Sequence, residues 1–438
     1  MKRLLLSLAA MPLILGGMSV CASADDGINV LSNVKFSGEI RPRYEYVDAQ
    51  NSGKEIANAF TARTTLGVGA DLFQVSGLSA YLEGSAVSNF GDRNYNGTID
   101  GNTKYDIVAD PQQARITQAY IDYKLNKTLL RAGRQDVNLD NQRFIGTVDW
   151  RQMKQTFDAV ALVDNSIDNL SLLGAYVYGV NGVKNESFLP IAALSAAGLT
   201  TNEAYDTSSV LLHASYKVNE MLNVTAYDYM LASISDTYGA ALTGNIDAGA
   251  IKLDYRAEYA KQADPSLERR SQLSATPVVG LNGKPEADAR YYNLDLGANI
   301  NGFLAGVNYE SLGKAEGSSV IGFWTPLATL HAFNGWADVF LGSTNNAGLN
   351  DANVRLGYAD KSLGKLLAVY HKFDAQKSIG TSKDLGSEFD VSYGNKIPGI
   401  NNLTGLVKGA FYKGGDATGF TNDKTVAWLM LDYKFAMK

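Results

Sequence analysis

Hydropathy in this chain repeats every two residues rather than every 3.6, and it does so over long segments. Ile251, Leu253, Tyr255, Ala257 and Tyr259 alternate with Lys252, Asp254, Arg256 and Glu258. In an extended strand successive side chains point to opposite faces, so this stretch has one apolar face and one charged face. The pattern recurs from Val34 to Val47. There Phe36, Ile40, Tyr44 and Tyr46 oppose Lys35, Ser37, Glu39, Arg41, Arg43 and Glu45. It recurs again where Phe60, Ala62, Leu66, Val68, Ala70 and Leu72 oppose Thr61, Arg63, Thr65 and Asp71. No helical stripe of comparable length exists, and the chain reads as all-β. Strands are predicted near 34–47, 60–72, 78–88, 114–124, 128–137, 156–164, 169–180, 208–217 and 222–231. Further strands are predicted near 237–245, 248–261, 289–300, 303–312, 352–360, 365–375, 384–394, 403–413 and 424–436, about 18 in all. Parity is ambiguous in 128–137, 222–231 and 365–375, where a bulge would restore it.

The connections alternate in length. Those at 73–77, 125–127, 165–168, 218–221, 301–302 and 361–364 are short, whereas 89–113, 138–155, 181–207, 262–288 and 313–351 are long. Short turns on one rim and long loops on the other are the pattern of a single antiparallel outer-membrane β-barrel, with short periplasmic turns and long extracellular loops. Tyr44, Tyr46, Tyr123, Tyr216, Tyr259, Tyr309, Tyr393, Tyr433 and Phe435 fall near strand ends, where interfacial aromatic girdles lie. The last strand must pair with the first, because lipid does not tolerate an open edge.

Composition agrees with this. The chain of 438 residues is 45% hydrophobic, and its mean hydropathy of -0.12 is low for a helical membrane protein. It has no apolar run long enough for a spanning helix. A net charge of -6 argues against a nucleic-acid partner, and a single cysteine excludes a disulfide scaffold. The N-terminus has the form of an export signal. Lys2 and Arg3 precede an apolar run from Leu4, and Ala22-Ser23-Ala24 has a small-x-small cleavage form. We therefore expect residues 1–24 to be a signal peptide, lost together with Cys21, and residues 25–438 to be the barrel.

Magnitudes decide which face meets lipid. Turning 248–261 inside out would place four charged side chains in hydrocarbon, at up to about 2–4 kcal/mol for each cation near the midplane. The charged faces therefore line the lumen. Inward cations are expected at Arg41, Arg43, Arg63, Arg131 or Arg134, Lys252, Arg256 and Arg355. Inward acids are expected at Glu39, Glu45, Asp71, Glu83, Asp158, Asp254, Glu258, Glu310, Glu388 and Asp390. The arginine fork suits bidentate binding of carboxylates, on a solute or on a neighbouring acid.

Residues 323–338 are apolar and aromatic yet fall inside the longest connection. An exposed apolar loop invites aggregation. One loop is thus expected to fold into the lumen, with Trp324, His331, Phe333, Trp336 and Asp338 forming a constriction. Asp92, Asn94, Asn96 and Asp100 place oxygen ligands at alternate positions around Gly97, as at the start of a calcium loop. Thr103 stands where the closing acid belongs, and Asn-Gly is equally an ordinary turn, so no metal and no cofactor are expected. Catalysis is not expected either. His213, His331 and His371 are the only histidines, and neither a Gly-x-Ser-x-Gly elbow nor a His-Glu-x-x-His motif occurs.

Several stretches resemble the alginate export family of outer-membrane β-barrels. They are Ile107-Val108-Ala109-Asp110-Pro111, Gln118 to Tyr123, Gly133-Arg134-Gln135, Leu139 to Gly146, Trp150-Arg151-Gln152 and Thr156-Phe157-Asp158-Ala159. Thr325–Asp338 and Asp384 to Asp390 are similar to its C-terminal motifs. The resemblance implies an 18-stranded monomeric pore with an arginine-lined path, to which Arg134, Arg143 and Arg151 would contribute. The expected function is passive diffusion of small hydrophilic solutes, anionic saccharides or organic anions among them. The alternatives are a general, weakly selective porin and, from another class, a surface hydrolase or adhesin. The expected partners are membrane lipid and solute.

Overall fold

The computed structural model describes residues 29–184, 206–232, 234–267, 287–317, 319, 321–341 and 346–437. The signal segment lies outside the described residues, as do parts of the connections 181–207 and 262–288. The strands are β1 (Leu31–Ala49), β2 (Ala57–Leu72), β3 (Leu78–Asn89), β4 (Gln113–Leu125), β5 (Thr128–Gln135) and β6 (Thr156–Asp164). Next come β7 (Leu170–Asn181), β8 (Asp206–Asn219), β9 (Leu222–Leu231), β10 (Ser235–Ala248), β11 (Ile251–Ala263) and β12 (Ala289–Ile300). The last six are β13 (Phe303–Leu312), β14 (Leu349–Asp360), β15 (Gly364–Ile379), β16 (Ser382–Lys396), β17 (Leu403–Lys413) and β18 (Lys424–Met437). One short 3-10 turn, Leu330–Ala332, interrupts the β13–β14 connection.

Each strand pairs antiparallel with the next, and β18 returns to β1 through pairs such as Ile40↔Tyr433 and Tyr44↔Leu429. The 18-stranded sheet is closed, and no backbone edge is left for lipid to solvate. At the closing seam the Phe435 ring lies over Gly38, where any side chain would collide with it.

Burial is inverted relative to a soluble protein. Leu294, Val307 and Leu356 are 60%, 52% and 65% exposed, while Arg43 and Asp390 are each 0% exposed. The apolar faces look outward to hydrocarbon, and the charged faces look into the barrel. Outward tyrosines form two girdles, with Tyr44, Tyr259 and Tyr309 at one rim and Tyr123, Tyr216, Tyr393 and Tyr433 at the other.

The register departs from simple alternation at a few places. Shifts lie between Ser32 and Lys35, between Glu83 and Gly84, between Asp158 and Ala159, and between Val177 and Gly179. Among the three segments of ambiguous parity, only β15 has a shift inside the predicted span, at Phe373/Asp374. Within β5 the pairing runs unbroken from Thr128 to Gln135. β15 and β16 extend beyond their predicted ends and meet through Gly380 and Thr381 alone. Above the membrane one strand face need not be apolar, so no alternation marks the extension.

The lumen and its constriction

Among the described residues, three long connections fold inward from the extracellular rim. The sequence led us to expect one. Residues 136–155, between β5 and β6, cross the lumen from wall to wall. Asp140 Oδ2 lies 3.1 Å from His213 Nε2 on β8. The Phe144 ring packs on Tyr227 at 5.3 Å, Tyr291 at 5.2 Å and Phe323 at 5.9 Å. Arg143 Nε and Nη2 hold Glu310 of β13 at 2.6 and 3.0 Å, while Phe333 lies 4.6 Å beneath its guanidinium. Tyr291 also donates to Glu310, at 2.7 Å.

The same connection then reaches β1 and β2. Arg41 donates to the carbonyls of Asp149 at 2.9 Å and Arg151 at 2.6 Å. Arg63 binds Glu39 and Asp149, at 2.7 and 2.6 Å. Arg43 is paired with Asp110, which the connection between β3 and β4 delivers, and with Glu45 at 3.2 Å. Gln152 ties these parts together. Its amide N–H donates to Asp110 at 2.8 Å, and its side chain donates to Thr61 at 3.0 Å.

Residues 323–338 lie against this crossing segment and the opposite wall. Gly146 N donates to Leu327 O at 2.9 Å, and Thr329 N donates to Gln142 O at 3.0 Å. Trp324 is fixed by reciprocal bonds with Gln262 of β11, at 2.9 and 3.0 Å. Asn334 spans from Arg143 to Glu310 at 2.9 and 2.6 Å. The Trp336 and Ala337 amides donate to Asp390 at 3.2 Å and Glu388 at 2.7 Å on β16. Asp338 pairs with Arg151 at 2.6 Å and with His331 at 2.8 Å.

One lysine closes the arrangement. Lys408 of β17 places Nζ 2.7 Å from His331 Nε2, inside a box of Trp336, Trp150 and Trp428 at 3.8, 4.4 and 5.3 Å. Indole faces attract a cation more strongly once it is desolvated. Burial pushes the His331 imidazole down to about 3, and the Lys408 charge adds to that. Burial alone would push Asp338 upward, but His331 and Arg151 hold its carboxyl well below the usual range. His331 is therefore neutral at physiological pH. With Nε2 accepting from Lys408, its Nδ1–H donates to Asp338.

At mid-height and below, three arginines keep part of the side chain toward solvent. Arg131 binds Asp122 at 2.6 Å, Arg256 binds Glu258 at 2.7 Å and Arg355 binds Asp295 at 2.7 Å. Their side chains are 24%, 15% and 25% exposed.

Arg134 corrects one expectation. It stands opposite Ala119 and Asp158, and it shares its parity with Leu130 and Ala132, which look outward. Its ion pair with Asp158, at 2.8 Å, therefore lies on the outer face near the extracellular rim, and neither residue lines the lumen. His371 sits within β15, with Nδ1 2.9 Å from Asp351 and Nε2 3.6 Å from Asp390. The oxygen-rich loop is built as a turn. Asn96 accepts its own Thr98 amide at 2.9 Å, and Asp100 is engaged by Arg93 at 3.3 Å and by the Gln112 amide at 2.9 Å.

Sequence reasoning had not picked out Lys408, Trp428, Trp150 or Asp110 as members of this cluster. Lys408 and Trp428 carry the inward parity of their strands, which is a usable signal. The Asp110–Arg43 pairing has no local signal, because it joins positions distant in sequence.

Residues 32–170 match the family described as Alginate export. The resemblance carried by the motifs from Ile107 to Ala159 falls within that stretch. Among curated proteins no sequence matches. The structure is similar to OpdQ of Pseudomonas aeruginosa, with a TM-score of 0.70 at 16% identity, covering 93% of this chain and 100% of the other. It is likewise similar to OccAB3 of Acinetobacter baumannii, with a TM-score of 0.70 at 16% identity, covering 92% and 100%. A third similar structure is Pseudomonas aeruginosa OpdK with vanillate, with a TM-score of 0.68 at 14% identity, covering 93% and 100%.

Proposed function

We propose that the chain is an outer-membrane β-barrel of the channel type, a reading supported by the match of residues 32–170 to the alginate export family and by the closed 18-stranded sheet. We propose that it passes small hydrophilic solutes down their gradient, with a bias toward organic carboxylates. The observation that carries this reading is the clasp of 136–155 with 323–338. A lumen crossed by two interlocked segments suits small molecules and obstructs a hydrated polymer chain. The carboxylate bias draws on Arg131, Arg256 and Arg355. Each is oriented by an acid and keeps part of its side chain exposed to the lumen, where it can exchange partners with a passing carboxylate. The similarity to OpdK, solved with the aromatic carboxylate vanillate, supports the same class. Affinity must stay low, because a solute held tightly does not leave.

The balance of charge favours a second reading, that of a weakly selective pore. Arg41 is the one lumen arginine named above without a carboxylate partner of its own; Arg43, Arg63, Arg143, Arg151, Arg256 and Arg355 each have one. Reversal potentials across planar bilayers under a salt gradient separate the two. Anion preference, reduced in Arg355→Gln and competed by vanillate, supports the carboxylate bias. A cation-preferring pore indifferent to vanillate removes it. We further propose that residues 1–24 are removed on export and that the closed barrel acts as a monomer. The N-terminal sequence and the light-scattering mass of the exported protein test both points.

A further inference from the structure

On the outer face of the barrel the upper aromatics form cross-strand rows, and register fixes what stands above each row. On β15–β17, Tyr370, Phe389 and Phe411 are partners in register, 48%, 46% and 47% exposed. Two residues nearer the extracellular rim the same strands present Lys372, Ser387 and Lys413, again in register and on the same face. β11 and β12 repeat the order. Tyr259 and Tyr292 are paired, with ring centroids 5.2 Å apart, and Lys261 and Arg290 are paired above them. A strand rises about 3.4 Å per residue and is tilted by about 35–45°, so the cations stand roughly 5 Å beyond the rings. Aromatic girdles mark where hydrocarbon gives way to head groups. These cations therefore lie at the level of the outer-leaflet head groups.

The chain's own acids neutralise these cations only loosely. Like charges directly opposite on one face of a sheet repel, as Lys261 and Arg290 do. Asp288 stands 3.5 Å from Lys261 and Glu316 stands 3.4 Å from Arg290, but all four side chains are at least 31% exposed. Exposed pairs of this kind contribute little. Lys372 reaches Asp384, whereas Lys413 makes no ion pair among the described residues. Lys372 and Lys413 are two strand spacings apart, roughly 10 Å, with Ser387 between them. Their long stems can close on one anion. The rest of the rim differs. At the extracellular ends of other strands, outward parity brings Asp48 on β1, Asn58 on β2, Asp228 on β9 and Asp236 on β10. Arg134 on β5 is already held by Asp158.

We propose that the outer face of β11–β17 is a binding belt for phosphate-bearing lipid of the outer leaflet. Phosphate oxygens accept from the Arg290 fork and from the lysine ammonium groups, and the Ser387 hydroxyl donates between Lys372 and Lys413. A phosphate seated over Lys261 and Arg290 also relieves their mutual repulsion. The aromatic row below each cation row lies against the acyl chains, so one lipid engages both rows. A free phosphate ion would meet the cations alone. Because the cations gather on one side of the barrel, lipid is held there and not on the opposite side. The belt rests on the placement of the barrel in an outer membrane and not on the passage of any solute.

The test uses the full-length barrel refolded into phosphatidylcholine vesicles doped with diphosphoryl lipid A or with its dephosphorylated form. The protein is released in mild detergent, and the lipid it retains is measured by native mass spectrometry. Wild type should retain several-fold more lipid A than dephosphorylated lipid, and inorganic phosphate should not displace it. Lys372→Gln combined with Lys413→Gln should lower retention several-fold, as should Lys261→Gln combined with Arg290→Gln, whereas Lys413→Arg should preserve it. Lys104→Gln, which removes an exposed cation paired with Glu55 in the loop before β4, should match wild type. Retention that ignores the phosphates, or that survives loss of all four cations, overturns the belt. Displacement by inorganic phosphate overturns it as well, since that marks a site for the free ion. A chain that enters neither kind of vesicle, seen as digestion of its strands by external protease, removes the membrane placement and the belt with it.

Discussion

Gly335 shows how much one residue carries in this molecule. It sits at positive φ with its Cα hydrogen toward Glu388, so Gly335→Ala adds both backbone strain and a collision. The expected cost to docking is about 1–3 kcal/mol. It would be read as a larger single-channel conductance and faster protease cleavage near residue 335. Lys408→Met makes a complementary case, because it keeps the aliphatic stem and removes the cation from its tryptophan box. A loss of about 1–2 kcal/mol in the urea unfolding of the barrel is expected. Arg134 marks the limit of reading residues singly. Its motif suggested a lumen position, but parity within an unshifted β5 directs it outward beside Asp158. The unbroken pairing of β5 with both neighbours was not visible in the sequence.

Among the elements, residues 323–338 behave as a cap held at both ends. Their apolar character identified them as an inward-folding segment, because water exposure of so many aromatics would be unfavourable. What the sequence did not reveal was the partner, since the crossing segment 136–155 reads as polar and loop-like. Deleting 323–338 should raise conductance several-fold and lower any solute preference; an unchanged conductance would remove the segment from the permeation path. His331 gives the cap a pH dependence on the acid side. Its docked imidazole is held near 3 by burial, against an ordinary 6.5 when released. Docking is therefore at full strength above about 6.5 and weakens as pH falls toward about 3, because the released state takes up the proton first. Conductance of the wild type should rise below about pH 6. His331→Gln should abolish that rise.

For the molecule as a whole, lipid and lumen divide the side chains by parity. Val307 and Leu294 face hydrocarbon near mid-strand, so Val307→Arg is expected to destabilise the folded barrel by about 2–4 kcal/mol in urea titrations in bilayers. A cation introduced at lumen-facing Asn308 should cost far less and shift selectivity instead. The sequence by itself determined the all-β class, the positions of the strands, the assignment of faces and the alternation of short turns with long loops. These follow from local period-two patterning and from the price of charge in hydrocarbon, both of which act within single strands. The closed barrel alone fixes which loops enter the lumen, which acid neutralises which arginine, and that Glu388 and Asp390 anchor consecutive amides of the constriction segment. Those pairings join residues far apart in sequence across the barrel wall and its inserted loops, and no local signal encodes where closure of the sheet brings them together.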